Sequence, residues 1–454
     1  MFRKNQEIDL TILELNMMGH GVAKCDGAVF FVQNALPGEK CRCRVIKCAK
    51  NYYVARVEEF LSQSPDRIEP ICRVWKRCGG CAFQNASYQL ELKTKRAFVV
   101  NEMKKAGLTG LKVLPVLCAD KTERYRNKAQ FPVAAGKDGL EAGFFAPHSH
   151  SVVPVKACAI QNEAFAPIVD AVLSFAGTHG VTAYDEETGQ GLLRHLYLRI
   201  GEKRNEIMLC LVLTKDAFPE EALFCSVITK AFPAVKSIVF NFNDEKTNVI
   251  LGKSDRVVWG KDKICDLLCG RLFSLSPHAF YQVNRNAAEI LYRAAFSMAG
   301  ITPDTVLVDL YCGVGTIGQC AAHTGQSLYG VEIIPEAVAD AKENARQNGF
   351  KHASYFCGDA AALFSKIPVE ARGNALLILD PPRKGVAPSL IEEIASSSFR
   401  KVLYISCNPQ TLARDLALFA ERGFTPGPVQ PVDLFPRTSH CESIVKLIRS
   451  DMNS

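Results

Sequence analysis

The chain has 454 residues, 48% of them apolar, which is enough for two or three domains that each bury a core. It begins Met-Phe-Arg-Lys without the apolar stretch of a secretory signal, and no apolar run approaches the roughly 20 residues that span a bilayer. A cytoplasmic protein without a membrane partner is therefore predicted. The net charge of +7 is too modest by itself to indicate nucleic-acid binding.

Basic residues are concentrated in two groups. The first runs from Lys40 to Arg56 without an acidic residue, and the second comprises Lys121, Arg124, Arg126 and Lys128. Each group predicts either a phosphate-binding surface or an ordinary solvated face.

The 18 cysteines are spread through a long chain, so reduced thiols are expected rather than a disulfide framework. Most of them lie in apolar runs, where cysteine packs as a small hydrophobic side chain. Examples are Cys210, Cys225, Cys265 and Cys320.

Residues 1–60 have the pattern of a small all-β module. Short alternating runs, Ala28–Gln33 and Tyr52–Val57, are separated by glycines and a Pro-Gly pair. The segments Leu15–Ala23 and Leu36–Glu39 resemble the TRAM domain, a small RNA-binding barrel. This resemblance implies that the chain opens with an RNA-binding module.

The rest of the chain divides into a mixed segment, 61–270, and a regular segment, 271–454. The first contains a predicted helix over Ala86–Ala106, followed by strands and helices in mixed order. In the second, apolar strands alternate with helical stretches, which predicts an α/β doubly wound parallel sheet. Its strand candidates are Val306–Leu310, Ser327–Val331, Ser354–Cys357, Ala375–Leu379 and Val402–Ser406.

A glycine-rich loop follows the first of these strands. Gly313, Gly315 and Gly318 allow the backbone to approach a ligand, and Glu332 follows as a ribose-binding acid. The glycine spacing alone fits a dinucleotide or S-adenosylmethionine equally well. Acids at strand ends, Asp309, Asp359 and Asp380, favour the methyl donor, since methyltransferases hold cofactor and substrate there. A helix cap or turn is the alternative for Asp309 and Asp359.

Cys407 follows the last candidate strand, at the edge where doubly wound sheets bind ligands. Asp380 begins an Asp-Pro-Pro motif like that of methyltransferases that act on amines, but such chemistry needs no cysteine. Glu442 precedes a final apolar run and could act as a base. A nucleophilic thiol with a nearby base predicts covalent catalysis.

A third group of cysteines, Cys72, Cys78 and Cys81, has Cys158 far downstream. Four thiolates suit a tetrahedral zinc ion or an iron–sulfur cluster, and spacing does not decide between them. The flanking Arg73, Lys76 and Arg77 make the segment too polar for a core.

The motifs at 309–318, 379–385, 406–411 and 440–442 together resemble the RNA uracil-5 methyltransferase family, in its bacterial 23S ribosomal RNA branch. The resemblance implies a seven-stranded, mostly parallel Rossmann-like domain after an N-terminal β-barrel and an α+β central domain. It also implies S-adenosylmethionine and a [4Fe-4S] cluster as cofactors, and 23S ribosomal RNA as the partner, with no obligate protein partner. The residue roles that it implies are Cys407 as nucleophile, Glu442 as base, Gln282, Tyr311, Glu332 and Asp380 as cofactor contacts, and Cys72, Cys78, Cys81 and Cys158 as cluster ligands.

Three other functions are alternatives to this interpretation. A transfer RNA methyltransferase would share the chemistry, but transfer RNA relatives commonly lack the TRAM-like module and the cysteine group. A nicotinamide-dependent oxidoreductase would leave Cys407 and Glu442 unexplained. A non-catalytic RNA-binding assembly factor would not need this nucleophile and base.

Overall fold

In the computed structural model, which describes residues 2–368 and 374–449, the N-terminal part of the chain is a six-stranded sheet. Its strands are β1 (Glu7–Thr11), β2 (Glu14–Leu15), β3 (Gly21–Cys25), β4 (Ala28–Gln33), β5 (Lys40–Cys48) and β6 (Tyr53–Ser62). They are ordered β1-β5-β6-β4-β3-β2. Because β1 also contacts β3, the two ends of the sheet approach each other, as in the predicted small barrel.

Side-chain alternation along β5 explains part of the first basic group. Cys41, Cys43 and Val45 point inward and are fully buried, because successive side chains of a strand face opposite sides. Arg42 and Arg44 point outward and form ion pairs with acids of neighbouring strands. These acids are Asp9, Glu59, Glu7 and Glu58. The two arginines are therefore partly neutralised within the barrel, in agreement with the solvated-face alternative.

A seven-stranded sheet forms the middle of the molecule. The elements here are α1 (Tyr88–Lys105), β7 (Leu117–Cys118), β8 (Lys128–Gly136), β9 (Gly139–Phe145), β10 (Val152–Pro154), α2 (Phe165–Thr178), β11 (Leu193–Gly201), β12 (Glu206–Leu213), α3 (Glu221–Ala231), β13 (Val235–Phe242) and β14 (Ser254–Gly260). The sheet order is β10-β9-β8-β11-β12-β13-β14. Helices α2 and α3 pack on one face. The other face contributes Tyr197, Met208 and Val239 to a core shared with the C-terminal sheet.

The C-terminal part is the predicted doubly wound sheet. Its elements are β15 (Ile264–Leu268), β16 (Arg271–Leu275), α4 (Arg285–Ala299), β17 (Val306–Leu310), α5 (Thr316–Ala321), β18 (Leu328–Glu332), α6 (Pro335–Gln347), β19 (Ala353–Cys357), α7 (Ala360–Phe364), β20 (Ala375–Leu379), α8 (Pro388–Ser396), β21 (Lys401–Ser406), α9 (Pro409–Glu421), β22 (Phe424–Pro426), β23 (Gln430–Asp433) and β24 (Glu442–Arg449). Seven strands follow the order β19-β18-β17-β20-β21-β24-β23. The strands from β17 to β21 in this sheet are parallel, and β24 is antiparallel to β21. The predicted fold class is confirmed.

Two elements of the segment 61–270 pack on the C-terminal sheet. The short strand β7 pairs with β23, and α1 packs against α9 and β23. The short strand β22 also extends the sheet by pairing with β24. Within residues 2–368 and 374–449, no helix combines the length and apolar character needed to cross a membrane.

A buried ion network joins α1 to the loop after β23. The Lys95 ammonium group donates to Glu91 Oε1 at 2.7 Å and to Asp433 Oδ1 at 2.8 Å, and all three side chains are fully buried. Asp433 also accepts from the Tyr88 hydroxyl at 2.8 Å, and Glu91 accepts from the backbone N–H of Arg437 at 2.8 Å. Without the cation, two carboxylates would be buried uncompensated.

Replacing Lys95 by methionine is expected to destabilise the protein by about 3–5 kcal/mol, because the side chain keeps its length but loses its charge. The free energy of unfolding in urea measures the effect. Lys93→Met on the exposed side of the same helix is the matched control, expected to change stability by about 0.5 kcal/mol or less. Equal unfolding midpoints for the two variants would contradict the importance of the network.

Candidate active site

Five predicted site residues lie along one edge of the C-terminal sheet. Tyr311, Asp380 and Cys407 directly follow β17, β20 and β21, and Glu332 is the last residue of β18. Glu442 is the first residue of β24, which runs antiparallel, so its N-terminal end lies at the carboxyl edge of the parallel strands. This edge is where doubly wound sheets bind their ligands.

The loop after β17 has the left-handed backbone that its glycines permit. The φ angle is 54° at Gly313 and 82° at Gly315, and Tyr311 adopts 67° although it is not a glycine. Backbone strain of this kind clusters at ligand sites. The N–H of Gly313 donates to Glu332 Oε2 at 3.0 Å, which fixes the carboxylate beside the loop while further lone pairs remain for ribose hydroxyls.

Two of the predicted acids, Asp309 and Asp359, make hydrogen bonds within the protein. Asp309 is buried within β17, and its Oδ2 accepts from the N–H of Gly318 at 2.9 Å, which holds the loop and α5 in place. Burial raises the pKa of Asp309 to about 8. Asp359 is the N-cap of α7 and accepts from Ala361 and Ala362. Asp309 therefore orders the loop and Asp359 caps a helix, and the expectation that these side chains also hold cofactor or substrate stays a prediction.

Strand pairing places Cys407 opposite Glu442. The antiparallel register aligns Ser406 of β21 with Ser443 of β24. Cys407 follows Ser406, and Glu442 precedes Ser443. Continuing the alignment by one position therefore sets Cys407 opposite Glu442. Side chains at such opposed positions have Cβ atoms about 4.5–5.5 Å apart. Glu442 is 3% exposed, and Cys407 is half-buried, so the thiol remains accessible beside a buried carboxyl group.

Burial and neighbouring charges set the ionisation of these groups. Burial, together with Glu442 and Asp380, raises the pKa of the Cys407 thiol to about 11. Burial and Asp380 raise the pKa of Glu442 to about 8, and burial raises that of Asp380 to about 7. At neutral pH, the free site therefore holds a neutral thiol beside a largely protonated Glu442.

Arg383 is a cation of this site for which no role was predicted from the sequence. Its positive charge lowers the pKa of Cys407 and of Glu442, against the upward effect of burial. Its Nη2 donates to His440 Nε2 at 3.1 Å, and burial together with Arg383 lowers the pKa of His440 to about 4, so the ring accepts as a neutral base. Arg383 lies in the motif at 379–385, but only the fold shows which groups it faces.

Gln282 lies in the loop between β16 and α4 and is 8% exposed. Its backbone carbonyl accepts from the Asn127 side chain at 3.0 Å. Asn284 caps α4 and donates from Nδ2 to the carbonyl of Leu434 at 3.0 Å, in the loop that leads to Glu442. The loop of Gln282 is therefore tied to the C-terminal sheet, while its contact with the cofactor stays a prediction.

The four cysteines predicted as ligands line one cavity of about 190 Å³. Arg126 lines the same cavity as Cys72, Cys78, Cys81 and Cys158. The N–H of Gly80 lies 3.4 Å from Cys78 Sγ, and Gln84 donates to Cys81 Sγ at 3.5 Å. In the part of the chain that the structure describes, no group of three or more His, Cys, Asp or Glu side chains is arranged to hold a metal ion.

Comparison with known proteins identifies three segments. Residues 2–57 match the TRAM domain, residues 301–375 a methyltransferase domain, and residues 363–450 the tRNA (Uracil-5-)-methyltransferase family. An RNA methyltransferase of Halalkalibacterium halodurans is 40% identical over 98% of this chain and 97% of its own length. One from Listeria innocua is 39% identical over 98% of both chains.

The chain belongs to the RNA uracil-5 methyltransferase family. It is an S-adenosylmethionine-dependent RNA methyltransferase with an N-terminal TRAM domain. The crystal structure of the Pyrococcus abyssi tRNA (uracil-54, C5)-methyltransferase in complex with S-adenosyl-L-homocysteine matches 97% of this chain and 100% of that chain, with a TM-score of 0.79. At 23% identity, this match shows that the fold is shared.

The charges around Cys407 in this methyltransferase predict how fast its thiol reacts with iodoacetamide. Glu442→Gln is expected to speed alkylation at pH 9 by about tenfold, because losing a negative neighbour lowers the thiol pKa by about one unit. Arg383→Ala is expected to slow it, because a positive neighbour is lost. Peptide mass spectrometry gives the rates, with Cys407→Ala as the blank. Equal rates in Glu442→Gln and Arg383→Ala would contradict this account.

Proposed function

We propose that this RNA uracil-5 methyltransferase modifies a uridine of 23S ribosomal RNA in the cytoplasm, with Cys407 as nucleophile and Glu442 as base. The observation that carries the proposal is the opposed placement of these two side chains at the carboxyl edge of a methyltransferase sheet. A non-catalytic assembly factor would gain nothing from an accessible thiol beside a buried carboxyl group.

The chemistry needs both groups because carbon 5 of uracil is a weak nucleophile. Addition of the Cys407 thiolate to carbon 6 forms a carbon–sulfur bond and moves an electron pair toward carbon 5 as an enolate. S-adenosylmethionine supplies the electrophilic methyl group that this carbon accepts. The Glu442 carboxylate then removes the proton from carbon 5, and the carbon–sulfur bond breaks to release the thiolate.

The cofactor residues are proposed on their positions around the glycine-rich loop. Glu332 would accept from the ribose hydroxyls, since its carboxylate is already oriented by the N–H of Gly313. Tyr311, Gln282 and Asp380 would complete the pocket, with Asp380 between the cofactor and the pyrimidine. In the free site, the opposing Arg383 offers a means of stabilising the thiolate.

RNA binding beside the site is supported by a group of cations on the central sheet. Burial, with Arg199 and Arg126 nearby, lowers the pKa of Lys128 to about 7. Arg199 donates to the carbonyls of Ser276 and Ala279, in the loop that carries Gln282. A phosphate group here would favour the charged form of Lys128 and pair with Lys128 and Arg126, whereas Arg199 is 1% exposed and held by the two carbonyls.

Transfer RNA is the second candidate substrate. Ribosomal RNA is preferred because the sequence motifs resemble the 23S branch of the family. However, the fold is shared over nearly the whole chain with a tRNA (uracil-54, C5)-methyltransferase, so architecture alone does not separate the two substrates. The bacterial relatives are described as RNA methyltransferases without a stated class of RNA.

A [4Fe-4S] cluster is proposed for the four-cysteine cavity. A single tetrahedral ion with metal–sulfur bonds of about 2.3 Å would need four sulfurs roughly 4 Å apart. The cysteines instead surround a cavity of about 190 Å³, which suits a larger group held by thiolates. Its role would be structural, since thiol addition and methyl transfer require no electron transfer.

Deleting the gene is expected to remove 5-methyluridine from 23S ribosomal RNA, and Cys407→Ala is expected not to restore it. Mapping by mass spectrometry of ribosomal and transfer RNA from the same cells measures both substrates. Cys48→Ala, which alters an exposed barrel cysteine, is the control and should restore the modification. Loss of 5-methyluridine from transfer RNA alone would identify transfer RNA as the substrate. Methylation by Cys407→Ala would contradict the mechanism.

Purified RNA that contains 5-fluorouridine tests the covalent step directly. Fluorine at carbon 5 cannot be removed as a proton, so the wild-type protein is expected to stay attached to the RNA through Cys407. The adduct should migrate as one species in a denaturing gel. Its formation by Cys407→Ala would contradict the assignment of the nucleophile.

Anaerobically purified protein is expected to contain about four iron and four sulfide ions per chain. Cys158→Ala should lose most of both and show weakened folding or RNA binding, whereas Cys48→Ala should keep them. Elemental analysis and thermal unfolding provide the measurements. One zinc ion without sulfide would contradict the cluster, and normal activity of a stable cluster-free variant would contradict its structural role.

A further inference from the structure

Two cysteines away from the site described above, Cys269 and Cys320, are neighbours in the fold. Cys269 begins the two-residue turn between β15 and β16, where its φ is 50° and that of Gly270 is 76°. Cys320 lies in α5, the helix that follows the glycine-rich loop. Cys320 Sγ lies 3.5 Å from the carbonyl oxygen of Leu268, the residue that precedes Cys269, so the Cys320 thiol lies against the turn that carries Cys269.

The surrounding contacts hold this turn against α4 and α5. The N–H of Cys269 donates to Glu289 Oε1 at 3.1 Å, and Glu289 is paired with Arg285 at 2.5 Å, both on α4. Arg271 donates from Nη2 to the carbonyl of Ala322, directly after α5, at 2.9 Å. The two sulfurs are therefore kept together by contacts on both sides of the pair.

The two thiols differ in character. Cys269 is partly exposed at a turn, and the hydrogen bond from Cys320, with Arg293 and Arg285 nearby, lowers its pKa. Burial raises the pKa of Cys320 well above its ordinary value. An accessible thiol with a lowered pKa is the reactive partner in redox-sensitive pairs, and the neighbouring thiol resolves its oxidised form.

We propose that Cys269 and Cys320 are a modification site that hydrogen peroxide or an organic hydroperoxide converts to a reversible disulfide. The Cys269 thiolate attacks one peroxide oxygen, the oxygen–oxygen bond breaks, and a sulfenic acid forms as hydroxide or alkoxide leaves. The Cys320 sulfur then attacks the Cys269 sulfur and displaces hydroxide, which takes the Cys320 proton and leaves as water. The two thiols lose two electrons and two protons, and the peroxide is reduced to water, or to water and an alcohol.

Disulfide formation would alter the cofactor loop. The sulfurs of a disulfide are about 2.05 Å apart, closer than any two thiols that are not covalently bonded, so the turn and α5 must approach each other. Gly315 of the glycine-rich loop is the N-cap of α5, and the displacement would reach that loop directly. Weaker cofactor binding in the oxidised protein is the consequence, and it rests on the proposed cofactor site.

The chain provides an internal control. Cys43 is also close to a second cysteine, since its Sγ donates to the carbonyl of Cys41 at 3.6 Å, but both cysteines have 0% exposure in the barrel core. Peroxide cannot reach that pair in the folded protein. Cys41 and Cys43 should therefore stay reduced under the conditions that oxidise Cys269 and Cys320.

The test uses the full chain, purified anaerobically with its native metal content, treated with hydrogen peroxide, alkylated and digested. We expect a peptide that links Cys269 to Cys320 and disappears after reduction with dithiothreitol. Cys48→Ser should form the same link, and Cys320→Ser should instead leave Cys269 as a sulfenic acid that dimedone traps. Unlinked, fully alkylated Cys269 and Cys320 under conditions that oxidise Cys48 would overturn the proposal.

Calorimetric titration with S-adenosylhomocysteine measures the consequence for the cofactor site. Oxidised wild type is expected to bind about fivefold or more weakly than reduced wild type, while Cys320→Ser keeps its affinity after the same treatment. Equal affinities of linked and reduced protein would overturn the effect on the loop. Absence of binding to the reduced protein would contradict the proposed cofactor site. The linked peptide would still show whether Cys269 and Cys320 form a disulfide.

Discussion

The antiparallel pairing of β24 with β21 is the constraint on which the active-site geometry depends. The direction of β24 brings its first residue, Glu442, to the edge where Cys407 follows β21. A slip of one residue would turn Glu442 to the opposite face of the sheet, because side chains alternate along a strand. Ile444 and Val445 are both fully buried on β24, so each face is packed and the register is strongly specified.

The same burial that fixes the register makes the site electrostatically unfavourable when it is empty. Asp380 and Glu442 are both partly or wholly removed from water beside the Cys407 thiol, and each has a raised pKa. A fold optimised for stability alone would place apolar residues here. Protonated carboxyl groups and a neutral thiol are the low-energy resting forms, and Arg383 is positioned to favour the ionised forms that catalysis requires.

The N-terminal half is joined to the loop that leads to Glu442. Beyond the Lys95 network, the carbonyl of Arg437 accepts from the backbone N–H groups of Ala82 and Phe83 at 2.8 and 3.1 Å, directly after Cys81. The cysteine cavity and the segment leading to Glu442 therefore share backbone hydrogen bonds. A group bound by these cysteines would order that segment, which explains how a structural cluster can matter to a reaction without electron transfer.

Local pattern was sufficient to predict the strands, the glycine-rich loop, and Cys407 and Glu442 as site residues. Val306–Leu310 and Ala375–Leu379 even have the predicted bounds, because strand periodicity and glycine conformations are properties of a short stretch of backbone. The sequence by itself thus determined the fold class, and it singled out Cys407 and Glu442, whose roles stay predictions. Only the tertiary structure decided that Asp359 caps a helix, that β7 joins the C-terminal sheet, that Arg383 faces the thiol, and that Cys269 meets Cys320. Each of these depends on packing or hydrogen-bond geometry, often between residues far apart in the chain, which residue spacing does not encode.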